Sequence, residues 1–312
     1  MSEPKPLTVG VCTRNRPDAL ARCLRSLRAI EDVAEAVIVV DDGSTPPAEP
    51  IVRAALGDDA PKGLRILRND VSRRPAAGRN RIAREASTPW ILYLDDDAAV
   101  VDPEAIRRAL RVLQADPQLA IVALAQGDAE GKPWPPHTQP APVDYACYVA
   151  AFTAYGALMR RDAMLAVGGF REAIGINGEE KELALRLLDA GGRIVYLPDA
   201  IVAHLADEAG RDRRRYLHQI VRNDVLGAVY TLPFPLWPAG ALVRLKRYFA
   251  MRSGWSIDDP GGFREVVGVL ARDFPAALRD RTPVRWSTLR AWRRLTTQPP
   301  EPYRAPTPEE GR

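Results

Sequence analysis

The chain has 312 residues, of which 46% are hydrophobic and 27% charged, with a formal net charge of +4. That balance excludes a disordered chain, a collagen-like repeat and a disulfide-stapled miniprotein, and the length suits one large domain with an appended lobe. The three cysteines, Cys12, Cys23 and Cys147, stand at no metal-ligand spacing and read as free thiols of a reducing, cytoplasmic setting. The polar, Pro-bearing start does not read as a signal peptide.

Leu7 to Thr13 is a short apolar run with β-branched residues, expected as a strand. A helix is expected over Asp18 to Ala29, where Leu20, Cys23, Leu24 and Leu27 recur at helical spacing. Strands follow at Ala36 to Val40, closed by Asp41 and Asp42, and at Leu64 to Leu67; Ala76 to Ala86 reads as a helix. Trp90 to Leu94 is a further strand, ending in Asp95, Asp96 and Asp97; then come a helix over Pro103 to Leu113 and a strand over Ala120 to Ala125. Apolar strands alternating with helices imply an α/β fold, a mostly parallel sheet flanked by helices on both faces.

Five prolines between Gln126 and Val143 mark a loop or insertion over the sheet. A strand resumes at Tyr155 to Met159, then a short helix at Arg161 to Val167 and an amphipathic helix at Glu179 to Ala190, stopped by Gly191 and Gly192. Two short strands are expected at Arg193 to Tyr196 and Ala200 to His204. The remainder reads as helical and basic: through residue 204 there are 25 basic and 28 acidic residues, and afterwards 19 and 12. The domain reading is 1–208 for the α/β unit, 209–297 for a basic helical C-terminal extension, and 298–312 for a disordered tail.

Val225 to Val243 carries no formal charge, but Pro233, Pro235 and Pro238 argue against a continuous spanning helix. Arg211, Arg213, Arg214, Arg215 and Arg222 precede it, and Arg244, Lys246, Arg247 and Arg252 follow. A peripheral, salt-sensitive membrane contact through 211–252 is one expectation. Packing on the catalytic unit or across a homodimer is the other. Nucleic acid is not expected as a partner.

In an open parallel sheet, ligands bind beyond the carboxyl ends of the strands. That places Thr13, Arg14, Asn15 and Arg16, then Asp41 and Asp42, then Asp95, Asp96 and Asp97 along one rim. Clustered hard oxygen ligands suit Mn²⁺ or Mg²⁺, often shared with substrate phosphates. No dinucleotide fingerprint or P-loop occurs. Arg73, Arg74, Arg79 and Arg81 near the start of the Ala76 helix offer a phosphate site instead.

The motifs Thr8-Val-Gly-Val-Cys-Thr-Arg-Asn-Arg-Pro17, Val39-Val-Asp-Asp-Gly-Ser-Thr45, Ala76-Ala-Gly-Arg-Asn-Arg-Ile82 and Ile91-Leu-Tyr-Leu-Asp-Asp-Asp97 resemble family 2 glycosyltransferases of bacterial type. Gly168-Gly-Phe-Arg-Glu172, Gly178-Glu-Glu-Lys-Glu-Leu-Ala-Leu-Arg-Leu187, Arg193-Ile-Val-Tyr-Leu-Pro198 and Val202-Ala-His204 continue the resemblance in the same order, over roughly residues 7–230. The resemblance implies a GT-A fold, a nucleotide-sugar donor, a divalent metal and inversion at the anomeric carbon. The acceptor would be a hydroxyl of a glycan, a lipid-linked saccharide or a small molecule, as in polysaccharide biosynthesis.

Residue by residue, the resemblance assigns Thr13, Arg14, Asn15, Arg16, Asp41, Asp42, Arg74, Arg79, Asp95 and Asp96 to the donor nucleotide. Asp42 would accept a ring N–H of uracil or thymine, which favours UDP- or dTDP-sugars. Asp97 and Asp95 would hold the metal, with His204 completing the site. Glu179 and Glu180 stand where the family usually has Glu-Asp, and Glu180 takes the position of the general base. Its carboxylate, of unperturbed pKa ~4.3, is ionised at neutral pH and can accept the acceptor's proton. Trp134, Tyr145, Tyr148 and Tyr155 are candidates to stack on sugar faces. The resemblance further makes 1–208 the catalytic unit, with 1–125 as donor half and 126–208 as acceptor half, and makes the Pro-rich stretch 126–143 a flexible lid on the acceptor side. The alternatives are a nucleotidyltransferase acting on sugar phosphates, against which the glycine-free loop after the first strand argues, and a non-catalytic binding protein, against which the complete acid set argues.

Overall fold

Strands that are apolar on both sides need cover on both sides. The computed structural model, which describes residues 5–57, 63–205 and 212–306, supplies it. The strands are β1 (Leu7–Thr13), β2 (Ala34–Asp41), β3 (Arg65–Arg68), β4 (Trp90–Asp95), β5 (Ala98–Ala99), β6 (Leu119–Gly127), β7 (Cys147–Tyr148), β8 (Gly156–Arg160) and β9 (Arg193–His204). They form one sheet in the order β3-β2-β1-β4-β8-β6-β9-β5, with β7 pairing β9 off that path. The pairs among β1 to β4 are parallel, as is β6 with β9, while β8 runs antiparallel between β4 and β6. The register sets Thr13 beside Asp41 and Cys12 beside Asp95, so the ends of β1, β2 and β4 share one edge.

The helices of this part are α1 (Pro17–Ser26), α2 (Glu49–Leu56), α3 (Arg74–Glu85), α4 (Pro103–Ala115), α5 (Arg161–Ala166) and α6 (Glu179–Asp189). Leu20 and Leu24 of α1, Val52 of α2 and Ile106 and Leu110 of α4 pack with Val9, Val37 and Val39 on one face. Ile82 of α3, Met164 of α5 and Leu183 and Leu187 of α6 pack with Ile38, Ile91 and Tyr93 on the other. The expected flanked, mostly parallel sheet is therefore present.

The sequence reading offers no element between Ser44 and Leu64; α2 forms there, with Pro50 in its first turn, where its missing N–H costs nothing. One local expectation changes. Pro198 makes 193–204 read as two strands. The chain instead continues as one strand, β9, with the irregularity absorbed where the register passes from Leu124–Leu197 to Ala125–Ile201.

The C-terminal part is helical: α7 (Arg213–Thr231), α8 (Leu236–Gly254), α9 (Gly262–Arg279) and α10 (Trp286–Thr297). Leu217, Val221, Leu226, Tyr248, Val266 and Leu270 form its own core, which also takes Ile174. The uncharged stretch 225–243 thus ends α7, turns, and starts α8. Among the described residues no helix is long and apolar enough to cross a membrane. Of the flanking arginines, Arg211 lies outside the described residues.

The expected disorder after 298 does not hold for residues 298–306. Tyr148 N donates to Glu301 O at 2.9 Å, Tyr303 N donates to Ala146 O at 2.8 Å, and the Tyr303 ring stands edge-on to Tyr148. Prolines conceal this because the segment needs only alternate backbone bonds to lie along β7. Residues 307–312 lie outside the described residues.

Asp259 ties α7, α8 and α9 together. Its buried carboxylate accepts from Tyr248 Oη and His218 Nε2, both at 2.6 Å, and from Arg214 Nε. Burial opposes its ionisation, but the bonds from Tyr248, His218 and Arg214 outweigh it and hold the group at about 2, below its ordinary 3.8. A depressed carboxylate stabilises the fold fully above about pH 4 and ceases to do so as pH falls through about 2. Acid unfolding followed by far-ultraviolet circular dichroism should show that window, and Asp259→Asn should flatten it. A variant with the same acid profile would remove Asp259 from the account.

Candidate active site

The shared edge of β1, β2 and β4 opens into a cleft of about 960 Å³ that also reaches the start of α6 and one face of α7. Thr13, Arg14, Arg16, Asp42, Arg74, Arg79, Asp95, Asp96, Asp97, Glu179, Glu180 and His204 all line it. Asn15 and Asp41, both expected in the donor site, are not among the lining residues. Asn15 Oδ1 accepts from Thr45 N at 2.8 Å, and the Asp41 carboxylate accepts from Ser44 N, Ala48 N and Arg68. Each is spent on shaping the loop after β2, a role that a short polar side chain at a strand end fills readily.

Asp42 faces the cleft but is saturated. One oxygen accepts from Asn69 Nδ2 and Arg73 N, both at 2.8 Å. The other accepts from Ser72 Oγ at 2.6 Å and Arg74 N at 2.9 Å. A carboxylate has about four acceptor sites, so a base N–H would have to displace a protein donor. The expectation that Asp42 selects uracil or thymine loses its basis here. The carboxylate instead organises the 69–74 loop, and these donors hold its pKa below the usual range despite burial.

The four arginines near α3 divide the same way. Arg73 pairs with Glu172 at 2.9 Å, and Arg81 donates to Arg68 O and Asn69 Oδ1. Arg79, expected on the nucleotide, is 5% exposed and is held between Asp95 at 2.8 Å and Glu179 at 2.9 Å. It ties β4 to α6, with both terminal nitrogens engaged by carboxylates. Arg74 differs: its guanidinium has no acidic partner among the described residues, and it lines the cleft. Its backbone sits at φ 70, a region costly for a non-glycine residue, and its N–H on Asp42 helps hold it there. Burial, then the charges of Arg222 and Arg215, lowers its pKa, the state of a cation awaiting an anion.

The three aspartates after β4 part company. Asp96 turns inward, accepting from Thr13 Oγ1 at 2.8 Å and Arg16 at 3.0 Å; burial pushes it up to about 6 against those bonds. Asp97 accepts from Arg16 at 2.7 Å and lies 3.5 Å from His204 Nε2. Burial opposes its ionisation too, but His204, when its ring is protonated, and Arg16 prevail and hold it at about 2. Ligand atoms of Asp95, Asp97 and His204 all lie within 4.8 Å of one another.

The orientation of His204 is built. Gln126 Nε2 donates to Thr138 O at 2.7 Å, which turns Oε1 onto His204 Nδ1 at 2.8 Å. In the neutral ring Nδ1 therefore carries the proton, and the lone pair of Nε2 faces Asp97. Trp134 and Tyr155 stack on the two sides of the imidazole, with centroids at 5.3 and 5.1 Å and planes within 17° and 9°. Two hard carboxylates and an oriented imidazole fit a divalent ion such as Mn²⁺ or Mg²⁺. The 126–143 insertion, expected as a flexible lid, is tied to β6 instead: Gln126 N donates to Gln139 Oε1, and Trp134 N donates to Gln126 O. Neither Gln126 nor the stacking partner of His204 was foreseen. Their signal lies in register across the sheet, which local spacing does not carry.

At the start of α6 the acid pair separates by burial. Gly178 at φ 106 turns the chain, then Glu179 folds inward at 1% exposed, with Oε1 on Arg79 and with no hydrogen-bond donor to Oε2 among the described residues. Burial, then the neighbouring Glu180, holds Glu179 well above the usual carboxylate range, against Arg79. Glu180 stays half-buried and faces the cleft. From α7, Asp212, Arg215, Tyr216, Gln219 and Asp224 complete the wall, none of them a sequence-level candidate.

Residues 8–170 match the family model described as Glycosyl transferase family 2. The chain belongs to glycosyl transferase family 2. The matched region ends before Glu179, Glu180 and His204, so this family 2 chain completes the cleft with residues beyond it. A pre-mycofactocin glycosyltransferase of Mycobacterium tuberculosis is 31% identical over 215 residues, 64% of this chain and 43% of that protein. The chain thus spans less than half the length of that relative. Among solved structures, a mannosyltransferase of Pyrobaculum calidifontis in complex with GDP-Man and Mn²⁺ superposes with a TM-score of 0.58 at 18% identity, over 93% of this chain and 83% of the other. Staphylococcus aureus TarS with UDP-GlcNAc gives 0.59 at 16%, over 85% and 80%. The family 2 chain therefore has the GT-A fold. Those two neighbours carry different bases, so the fold alone leaves the base open.

Proposed function

We propose that the cleft transfers a hexosyl group from a nucleoside-diphosphate sugar to an acceptor hydroxyl, with inversion. The acceptor would belong to a glycan, a lipid-linked saccharide or a small molecule, and the work would be done at the inner face of a membrane. The observation that carries this reading is that Asp95, Asp97 and His204 converge in the same cleft that Glu180 lines.

Glu180 accepts the proton of the acceptor hydroxyl. The new C–O bond forms at the anomeric carbon as the bond to the diphosphate oxygen breaks, and the electron pair leaves with the diphosphate. Asp95, Asp97 and His204 would hold Mn²⁺ or Mg²⁺, which when bound supplies positive charge against the leaving group. Arg74 and Arg14, both without acidic partners among the described residues, offer further positive charge to the phosphates. Glu179 and Arg79 act behind Glu180 and Asp95 as positioning residues.

Calorimetric titration of UDP and GDP, with and without Mn²⁺, tests the reading. Mn²⁺ should tighten at least one nucleotide in the wild type, and Asp97→Ala should abolish that gain while the fold survives. Gln126→Leu, which frees His204 to turn, should weaken Mn²⁺ binding by about 10–100-fold. Nucleotide affinity that ignores both Mn²⁺ and Asp97→Ala would sink the metal assignment.

A further inference from the structure

Helix α8 packs inward through Ala241 and Tyr248, with Trp237, Leu245 and Met251 against the same core. Its other side is unusual for a helix facing water. Leu236, Leu242, Val243 and Phe249, with Phe234 in the turn before it, are each between 40% and 74% exposed. At 100° per residue, positions 236, 239, 242, 243, 246, 249 and 250 fall on one face, and the outward stripe is Leu236, Ala239, Leu242, Val243, Lys246, Phe249 and Ala250. Large exposed apolar residues gathered on one face mark a contact surface, whereas scattered ones do not.

The charges say what the contact is. Over its 19 residues α8 has no acid and four cations, Arg244, Lys246, Arg247 and Arg252. Lys246 sits within the apolar stripe, with a stem long enough to lie along it. Of the other three, Arg247 borders the stripe and is paired with Asp224, while Arg244 and Arg252 fall outside it. An apolar face that carries a cation and no acid of its own helix matches the interface of an anionic bilayer. A spanning role is excluded for this helix.

The face is also continuous with the cleft. Arg247 lies one turn beyond Val243 and pairs with Asp224 of α7 at 2.5 Å, and Asp224 lines the cleft wall. We infer that the outward face of α8, with Phe234, lies in the plane of an anionic membrane surface and sets the cleft mouth at the lipid boundary. The membrane placement in the proposed function thereby gains its contact element. That the acceptor is lipid-linked, as this position favours, rests on the transfer reading; the docking does not.

Flotation of the full chain with phosphatidylcholine vesicles, with and without phosphatidylglycerol, tests it at low and high salt. The chain should float with the anionic vesicles at low salt and lose that binding at high salt, while pure phosphatidylcholine leaves it behind. Leu242→Asp with Val243→Asp should cut the bound fraction at least about tenfold, and Lys246→Glu should weaken it in the same direction. These side chains are exposed, so melting temperature and UDP binding with Mn²⁺ should be unchanged. No flotation at low salt, or equal flotation of the double variant, would overturn the inference. So would a concentration-dependent dimer that the double variant dissolves without any flotation, since the face would then cover a second copy. Normal flotation with no nucleotide binding would count against the transfer reading and leave the docking standing.

Discussion

Glu180→Gln should leave UDP or GDP binding intact and lower turnover by about 10²–10⁴-fold, the usual worth of a positioned proton acceptor. The substitution keeps the shape and removes only the ability to take a proton. The geometry makes the two neighbouring acids behave differently. Glu180 opens on the cleft, whereas Glu179 is buried on Arg79. Glu179→Gln should therefore act chiefly on stability and on the placing of Asp95, with a much smaller fall in turnover once the protein is folded. Single-turnover measurements at saturating donor separate the two. A Glu180→Gln enzyme that keeps most of its turnover, beside a dead Glu179→Gln enzyme of normal stability, would exchange the roles.

Arg79→Met should destabilise the fold by about 3–5 kcal/mol, because removing one partner from a buried ion pair strands the charge left behind. Here two carboxylates lose their cation at once, and Glu179 Oε2 already lacks a donor among the described residues. Urea denaturation should show the loss, and Arg79→Met combined with Glu179→Leu should recover part of it. That recovery is the non-additivity expected of groups in contact. A loss below about 1 kcal/mol would mean that water or protonation of Glu179 meets the need without Arg79.

Periodicity located most elements of the α/β part because each strand is apolar and each helix keeps a clear stripe, as with Leu20, Leu24 and Ile82. The acids of the site were legible because they sit where strands end. What failed was reading direction from type. Asp41 and Asp42 are chemically identical neighbours, yet one caps its own loop and the other gathers the 69–74 loop. Arg74 and Arg79 are one helical turn and a bit apart, yet one faces the cleft unpaired and the other is locked between two carboxylates. Such outcomes depend on which donors the fold brings near from distant segments. The α7 wall, Gln126 and the return of 298–306 to β7 escaped for the same reason.

The stack of Trp134 on His204 has a practical consequence. An indole 5.3 Å from an imidazole is sensitive to the electric field of that ring, so the residue that braces the site also gives it a native optical probe. Subtracting the emission of Trp134→Phe from that of the wild type isolates one of six tryptophans. The difference spectrum would follow the filling of the site formed by Asp95, Asp97 and His204 without label, substrate or turnover. The Pro-rich insertion, which makes no bond to the reacting atoms, would then be the part of the molecule that reports on them.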